Sequence, residues 1–324
     1  MAHPFRTRIF SPAFAGILLS FGASAATRAT EESWPFSPRT SAPTGRPSPS
    51  PKPEEPPRDT PLVEQKWETL SNKNLRKEGE AALAIDPGKW KHAETDHFVL
   101  HYRRVTEAQK VAREVEYDLW FIAKTLDAKK EQYQRKSHVF VFEDDEEWHV
   151  FLGKVQMPAW IASFAYGDEL FLNVRKTQET GRFDSKTLAH ETTHAVVARL
   201  YPDQRWPLWL AEGWAEYMGG ASVAARKGQS VKRHQTQLRF AAMPLETMER
   251  LTSYPADEIL VAQLYQTSEK LVRYLMAELP KERILRFIEA ALAGKSLQTC
   301  VLEVYGDQFK DWADFRKKFE LFDR

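Results

Sequence analysis

Residues 184–200 read DSKTLAHETTHAVVARL, and this stretch has the features of a single uninterrupted helix. Asp184 or Ser185 suits the N-cap position, and neither glycine nor proline occurs within the run. His190 and His194 are four positions apart. Side chains with that spacing lie on one face of a helix, with about 6 Å between their Cβ atoms, so both imidazoles can reach one metal ion.

Glu191 follows the first histidine and is rotated from it by about 100° around the helix axis. It is therefore poorly placed to join the two histidines as a third ligand on their face, but it can reach a water molecule bound to the metal. The motif alone is weak support, because His-Glu-x-x-His arises by chance in roughly two of every hundred chains of this composition. The alternative is an ordinary helix with two surface histidines and a solvated glutamate.

Residues 207–220 read PLWLAEGWAEYMGG and predict a short second helix that begins at Pro207 and ends at the glycine pair. Catalytic zinc takes three protein ligands and leaves its fourth position to water. The two histidines together with Glu212 supply that set. A third ligand on a second helix favours a metal site over a chance match.

Glu216 lies four positions after Glu212 and therefore on the same face of the second helix. A histidine ligand is usually oriented by a carboxylate that accepts a hydrogen bond from its other ring nitrogen. Glu216 is placed for that role. Without such roles, two glutamates among Trp209, Leu210 and Trp214 would be costly to bury.

The composition narrows the chemistry further. The 324 residues include 46 basic and 45 acidic side chains, so the basic surplus of a nucleic-acid binder is missing and we expect no nucleic-acid partner. Cys300 is the only cysteine, which excludes an intrachain disulfide and a cysteine-rich zinc site. Any metal must therefore be held by histidine and carboxylate ligands.

Three further histidines are not expected to bind metal. His97 and His101 are four positions apart, but on a strand that spacing separates them by about 13 Å, which is too far to chelate one ion. His138 is isolated in the sequence. We interpret it as a solvated or hydrogen-bonded side chain.

The first 26 residues have the features of an export signal peptide. Arg6 and Arg8 give a positive start, residues 9–26 carry no charge, and Ala23-Ser24-Ala25 offers the small residues at which signal peptidases cleave. We therefore predict a secreted or periplasmic protein. The alternative is an uncleaved N-terminal membrane anchor, because 18 uncharged residues approach the length of a membrane span. No later segment is apolar for long enough to span a membrane.

Residues 27–62 are dominated by proline, serine and threonine. Such a segment cannot bury enough apolar surface to offset the entropy of ordering it, so we predict a disordered linker. The folded domain is predicted to cover residues 63–324.

Short β-prone runs and helical periodicity predict an α+β fold for that domain. Strands are expected at residues 98–102, 138–142 and 170–174, and apolar spacings of three and four predict a helix over residues 106–129. Nearly everything from residue 184 onward reads as helix. We therefore predict a mixed or antiparallel sheet up to about residue 183, followed by a mostly helical half over residues 184–324.

The two motifs together resemble a known superfamily. His-Glu-x-x-His followed 18 residues later by the glutamate of WLAEGWAE is similar to the gluzincin metallopeptidases, which include thermolysin and the zinc aminopeptidases. The chain looks most like the peptidase-MA-like group of secreted bacterial proteins, and it does not contain the Gly-Ala-Met-Glu-Asn motif of the aminopeptidases. The resemblance implies one catalytic zinc held by His190, His194 and Glu212. It also implies Glu191 as general base and Glu216 as the carboxylate that orients a histidine ligand.

Two further expectations come from the same resemblance. Residues 264–275 read LYQTSEKLVRYL and are similar to that group's Tyr-x-x-Ser helix, which implies that the Tyr265 hydroxyl faces the metal. The alternative is a tyrosine packed in the core. The superfamily also has an antiparallel edge strand that pairs with the substrate backbone. Residues 170–174 are the candidate for it, and an ordinary core strand is the alternative.

The sequence therefore predicts a zinc-dependent hydrolase of peptide bonds, with a peptide or protein as substrate. One alternative is a non-catalytic binding or scaffold module of the same fold that keeps zinc for stability. The presence of Glu191 disfavours it, because a structural site needs no general base and favours a fourth protein ligand. A second alternative is a zinc hydrolase that acts on a non-peptide bond. The sequence does not predict the oligomeric state.

Overall fold

A computed structural model describes Pro57 and residues 61–175, 184–231 and 240–322. The predicted export signal and nearly all of the predicted linker lie outside these residues. Within them, six strands are confined to the part before residue 174, and only helices follow residue 184. The predicted α+β class is thus confirmed, with the sheet in the N-terminal half.

The sheet is mixed, with the strand order β1-β2-β3-β4-β6-β5. The central pairs β3–β4 and β4–β6 are parallel, and the remaining pairs are antiparallel. Each of the three predicted strands is present to within one residue. The strands are β1 (Val63–Gln65), β2 (Lys91–Glu94), β3 (Phe98–Tyr102), β4 (Ser137–Phe142), β5 (Ser163–Tyr166) and β6 (Glu169–Asn173).

The prediction that residues 170–174 form an edge strand is wrong. β6 pairs with β4 on one side and with β5 on the other, and all five of its residues are buried. A strand without exposed positions is typical of a sheet interior. The edge on this side of the sheet is formed by β5, a strand of four residues that is connected to β6 by a turn at Gly167, whose φ of 61° favours glycine.

Helices cover both faces of the sheet. α2 (Val105–Thr125) and α4 (Ser185–Leu200) pack on one face, whereas α1 (Lys77–Leu83) and α3 (Asp145–Lys154) pack on the other. Because side chains alternate along a strand, β4 contributes valines to the first face and phenylalanines to the second. α2 ends four residues earlier than predicted, before a turn at Asp127 with a φ of 48°.

The C-terminal half is a layered set of helices in which α5 packs between α4 and α7. No helix within the described ranges combines the length and the apolar character that a membrane span requires. The further helices are α5 (Leu208–Arg226), α6 (Leu245–Arg250), α7 (Glu258–Glu278), α8 (Ile284–Leu292), α9 (Leu297–Tyr305) and α10 (Trp312–Leu321). Short 3-10 helices occupy Trp67–Thr69, Pro87–Lys89, Lys130–Tyr133, Lys281–Arg283 and Gly306–Gln308.

Candidate metal centre

α4 presents the two motif histidines on one face. Its N-terminus is capped by Asp184, whose carboxylate accepts hydrogen bonds from the backbone N–H groups of Lys186 and Thr187 at 3.0 and 3.3 Å. The helix then continues without interruption past both histidines. The Nε2 atoms of His190 and His194 lie 3.1 Å apart, and both residues are buried. The predicted helix and its N-cap are confirmed.

Glycines allow α5 to approach both of its neighbours closely. A Cβ atom at Gly219 would lie 2.9 Å from the carbonyl oxygen of Lys186 on α4, and one at Gly213 would overlap the carbonyl oxygen of Ser268 on α7. The prediction that the helix ends at Gly219 and Gly220 is therefore wrong. Glycine serves close packing here, and α5 continues to Arg226.

Glu212 on α5 faces both histidines from within this packed layer. It is fully buried, with its Oε2 atom 3.5 Å from His190 Nε2 and its Oε1 atom 3.6 Å from His194 Nε2. Two ligands of a tetrahedral zinc ion, each bound at 2.0–2.1 Å, are separated by about 3.4 Å. The separation of the two imidazole nitrogens, and that of each nitrogen from the nearer carboxylate oxygen, are therefore close to the separation of two ligands on such an ion. Among the described residues, Glu212 Oε2 has no hydrogen-bond partner.

Glu191 belongs to the same cluster. Ligand atoms of His190, Glu191 and His194 all lie within 4.8 Å of one another, so this buried group can hold a metal ion. The Ser163 hydroxyl on β5 donates to Glu191 Oε1 at 3.3 Å, whereas Oε2 has no hydrogen-bond partner in the described part of the chain. The edge strand thus lies directly against this carboxylate.

The two carboxylates have opposite pKa shifts. Burial raises the pKa of Glu191 above its ordinary value. Burial also opposes ionisation of Glu212, but the adjacent histidines outweigh it and lower the pKa of Glu212 to about 2. Two neighbouring carboxylates with pKa values shifted in opposite directions are typical of sites in which one carboxylate stays ionised and the other exchanges protons.

Glu216 and Lys186 hold the outer side of His190. Glu216 Oε1 lies 3.1 Å from His190 Nδ1, and Glu216 Oε2 accepts a hydrogen bond from Lys186 Nζ at 2.8 Å. Burial lowers the pKa of His190, but Glu212 and Glu216 outweigh it and raise this pKa to about 10. Lys186 precedes His190 by one helical turn, a spacing by which the sequence could have indicated it.

Two tyrosines close the site on its α7 side. Tyr265 is buried, with its ring centroid 6.1 Å from that of His190. Tyr254, in the segment between α6 and α7, donates a hydrogen bond from its hydroxyl to Glu212 Oε1 at 2.5 Å. The sequence does not indicate Tyr254 or Ser163, because neither residue has a recognisable spacing from the motifs on α4 and α5.

No protein-family model matches this chain, and no curated protein matches it in sequence. Across the described residues, the group formed by His190, Glu191 and His194 is the one set of three or more metal-ligating side chains arranged to hold an ion.

A second group of histidines lies on the other face of the sheet. His92 on β2 and His101 on β3 are direct cross-strand partners, with 2.8 Å between their Nδ1 atoms. His101 Nε2 lies 2.9 Å from His138 Nδ1 on β4. His138 is thus hydrogen-bonded, as interpreted from the sequence, and strand pairing supplies a partner that is distant in the sequence. His101 uses a different nitrogen for each contact, so the three rings do not converge on one point.

Proposed function

We propose that this chain is a zinc-dependent hydrolase of peptide bonds of the gluzincin type, with one zinc ion held by His190, His194 and Glu212. The observation that carries the proposal is the buried cluster of two imidazole nitrogens and a carboxylate, with N···N and N···O separations of 3.1 to 3.6 Å. Three protein ligands leave a coordination position for water, which is typical of catalytic zinc.

The donor set supports zinc over other common ions. Calcium and magnesium prefer sites made of oxygen ligands, whereas imidazole nitrogen suits zinc and its neighbours in the first transition series. A His₂Glu set is one of the established ligand sets of catalytic zinc. Glu216 supports the assignment further, because its contact with His190 Nδ1 fixes the ring with Nε2 directed into the site.

When bound, zinc would supply a Lewis acid for the scissile carbonyl and lower the pKa of water in the site. Glu191 takes the proton of the attacking water as the water oxygen bonds to the carbonyl carbon. The same carboxyl group then gives this proton to the leaving nitrogen as the C–N bond breaks. The Tyr265 hydroxyl donates a hydrogen bond to the carbonyl oxygen as negative charge develops there.

A peptide substrate is favoured by the strand beside the site. β5 is the last strand in the sheet order and pairs with β6 alone among the described strands. An edge strand can add an extended peptide through backbone hydrogen bonds. Ser163 lies on β5 and contacts Glu191, so a peptide added to this edge would pass close to the general base.

The proposal is tested by incubating the zinc-loaded full-length protein with casein and with a peptide library, with and without a chelator. We expect cleavage that the chelator abolishes and that added zinc restores. Stoichiometric zinc without cleavage of any peptide would refute the peptidase and favour the scaffold alternative. Zinc-dependent hydrolysis of ester or amide test substrates, but not of peptides, would favour the non-peptide alternative.

A further inference from the structure

Tyr254 makes a short hydrogen bond to Glu212, at a distance below those that separate Glu212 from the two histidines. Its hydroxyl donates to Glu212 Oε1, whereas Glu212 Oε2 has no hydrogen-bond partner among the described residues. The two oxygens of this carboxylate are therefore not equivalent. The hydrogen bond occupies one lone pair of Oε1 and leaves Oε2 available to a metal ion.

Tyr254 also joins Glu212 to the proposed oxyanion donor. The rings of Tyr254 and Tyr265 are nearly parallel, with an interplanar angle of 11° and 6.3 Å between their centroids. One phenol thus contacts both the carboxylate on α5 and the tyrosine on α7.

The backbone on both sides of Tyr254 is anchored. α6 ends with a hydrogen bond from the N–H of Leu251 to the carbonyl oxygen of Met248, and Met248 is fully buried. On the other side, the Asp257 carboxylate caps α7 by accepting from the N–H of Ile259 at 2.7 Å. The segment that carries Tyr254 is therefore held at both ends, which favours a fixed position for the phenol.

We propose that Tyr254 is a positioning residue that holds the Glu212 carboxylate in its metal-binding orientation. This inference rests on the proposed function only in that Glu212 is taken as a metal ligand. Without the hydrogen bond, the carboxylate can rotate about its last torsion and exchange its two oxygens. Groups that orient a ligand in this way typically raise metal affinity about 10- to 100-fold.

The test is zinc affinity in Tyr254→Phe, measured by competition with a chromophoric chelator. We expect the Kd to rise about 10- to 100-fold. We also expect the visible absorption bands of the cobalt-substituted protein to shift, because the coordination by Glu212 changes. The matched control is Tyr305→Phe on α9, which removes a buried phenol oxygen that has no hydrogen-bond partner among the described residues. It should leave both readouts unchanged.

A double-mutant cycle separates positioning from a general loss of stability. If Tyr254 acts through Glu212, Tyr254→Phe should add little to the loss of affinity already caused by Glu212→Gln. Full additivity, or an unchanged Kd and cobalt spectrum in Tyr254→Phe, would overturn the inference. Wild-type protein that binds zinc but cleaves no peptide would refute the proposed peptidase activity and leave the role of Tyr254 intact.

Discussion

The three hydrogen-bonded histidines His92, His101 and His138 are expected to make the protein less stable as the pH falls. Three imidazoles have six ring nitrogens, and each of the two N···N contacts has room for one hydrogen. The three folded rings together can therefore hold four N–H protons, which is one more than three neutral imidazoles carry. All three histidines are protonated in an unfolded chain at acid pH, so unfolding takes up about two protons.

The pKa values indicate the size of the effect. Burial lowers the pKa of His138 to about 4, and the nearby Asp168 carboxylate does not reverse this. Burial also lowers the pKa of His101 well below 6.5. For His138 alone, the difference between 6.5 and about 4, at about 1.4 kcal/mol for each pH unit, corresponds to about 3 kcal/mol.

The sign follows from the depressed pKa values. Between pH 6.5 and about 4 the unfolded state binds more protons than the folded state, so the free energy of unfolding falls as the pH falls. The stabilising contribution is complete above pH 6.5 and is lost as the pH approaches 4. The expected loss is a sizeable fraction of the stability of a typical domain.

Urea denaturation of the full-length protein at several pH values between 7.5 and 4.5 measures this dependence. Wild-type protein should be compared with His138→Gln and with His149→Gln, which replaces an exposed histidine on α3. A chelator present throughout keeps zinc binding out of the comparison. We expect a shallower pH dependence in His138→Gln and the wild-type dependence in His149→Gln. Equal slopes in wild type and His138→Gln would refute the reasoning.

Three predictions concern the metal centre. Wild-type protein should bind approximately one zinc per chain, and His194→Ala should lose it because one of three protein ligands is gone. Full zinc content of His194→Ala by elemental analysis would refute the proposed zinc site. Glu191→Gln should keep zinc and the fold but lose the general-base contribution of about 10²–10⁴ to turnover, and unchanged hydrolysis would indicate another base. Glu216→Ala should weaken zinc binding about 10- to 100-fold by chelator competition and keep some activity at excess zinc. An unchanged Kd would mean that the contacts of Glu216 with His190 and Lys186 do not contribute to zinc binding.

The residues of the site that the sequence predicted are those linked by helical spacing. His190 and His194 share a face of α4 because four positions make about one turn, and Glu216 follows Glu212 for the same reason. The structure also places Glu212 against both histidines. The spacings within each helix are local relations. The packing of α4 against α5 is not, but the short connection between the two helices favours it.

What the sequence did not predict depends on which elements meet in space. Gly219 reads as a helix stop until its contact with the backbone of α4 is known. Ser163 and Tyr254 reach the site from a strand and from an inter-helix segment, and no periodicity relates them to the histidines. His138 joins His101 through the pairing of β3 with β4, a relation between residues 37 positions apart.

The last prediction concerns Tyr265, for which position and role are separate questions. Its ring lies beside that of His190, but a buried tyrosine can serve packing alone. If the hydroxyl stabilises the oxyanion, Tyr265→Phe should lower kcat and kcat/KM together by about 10²–10³, because the bond forms only as charge develops. Zinc affinity should change little, in contrast to Tyr254→Phe.

A packing role for Tyr265 predicts a different outcome. Phenylalanine keeps the ring, so near-normal kinetics would accompany a loss of stability of about 1 kcal/mol from one missing hydrogen bond. Steady-state kinetics and thermal melts of Tyr265→Phe, with Tyr305→Phe as the control for removal of a buried phenol oxygen, distinguish the two roles. A normal kcat with a lowered Tm would assign Tyr265 to the core and leave the oxyanion without a tyrosine donor from α7.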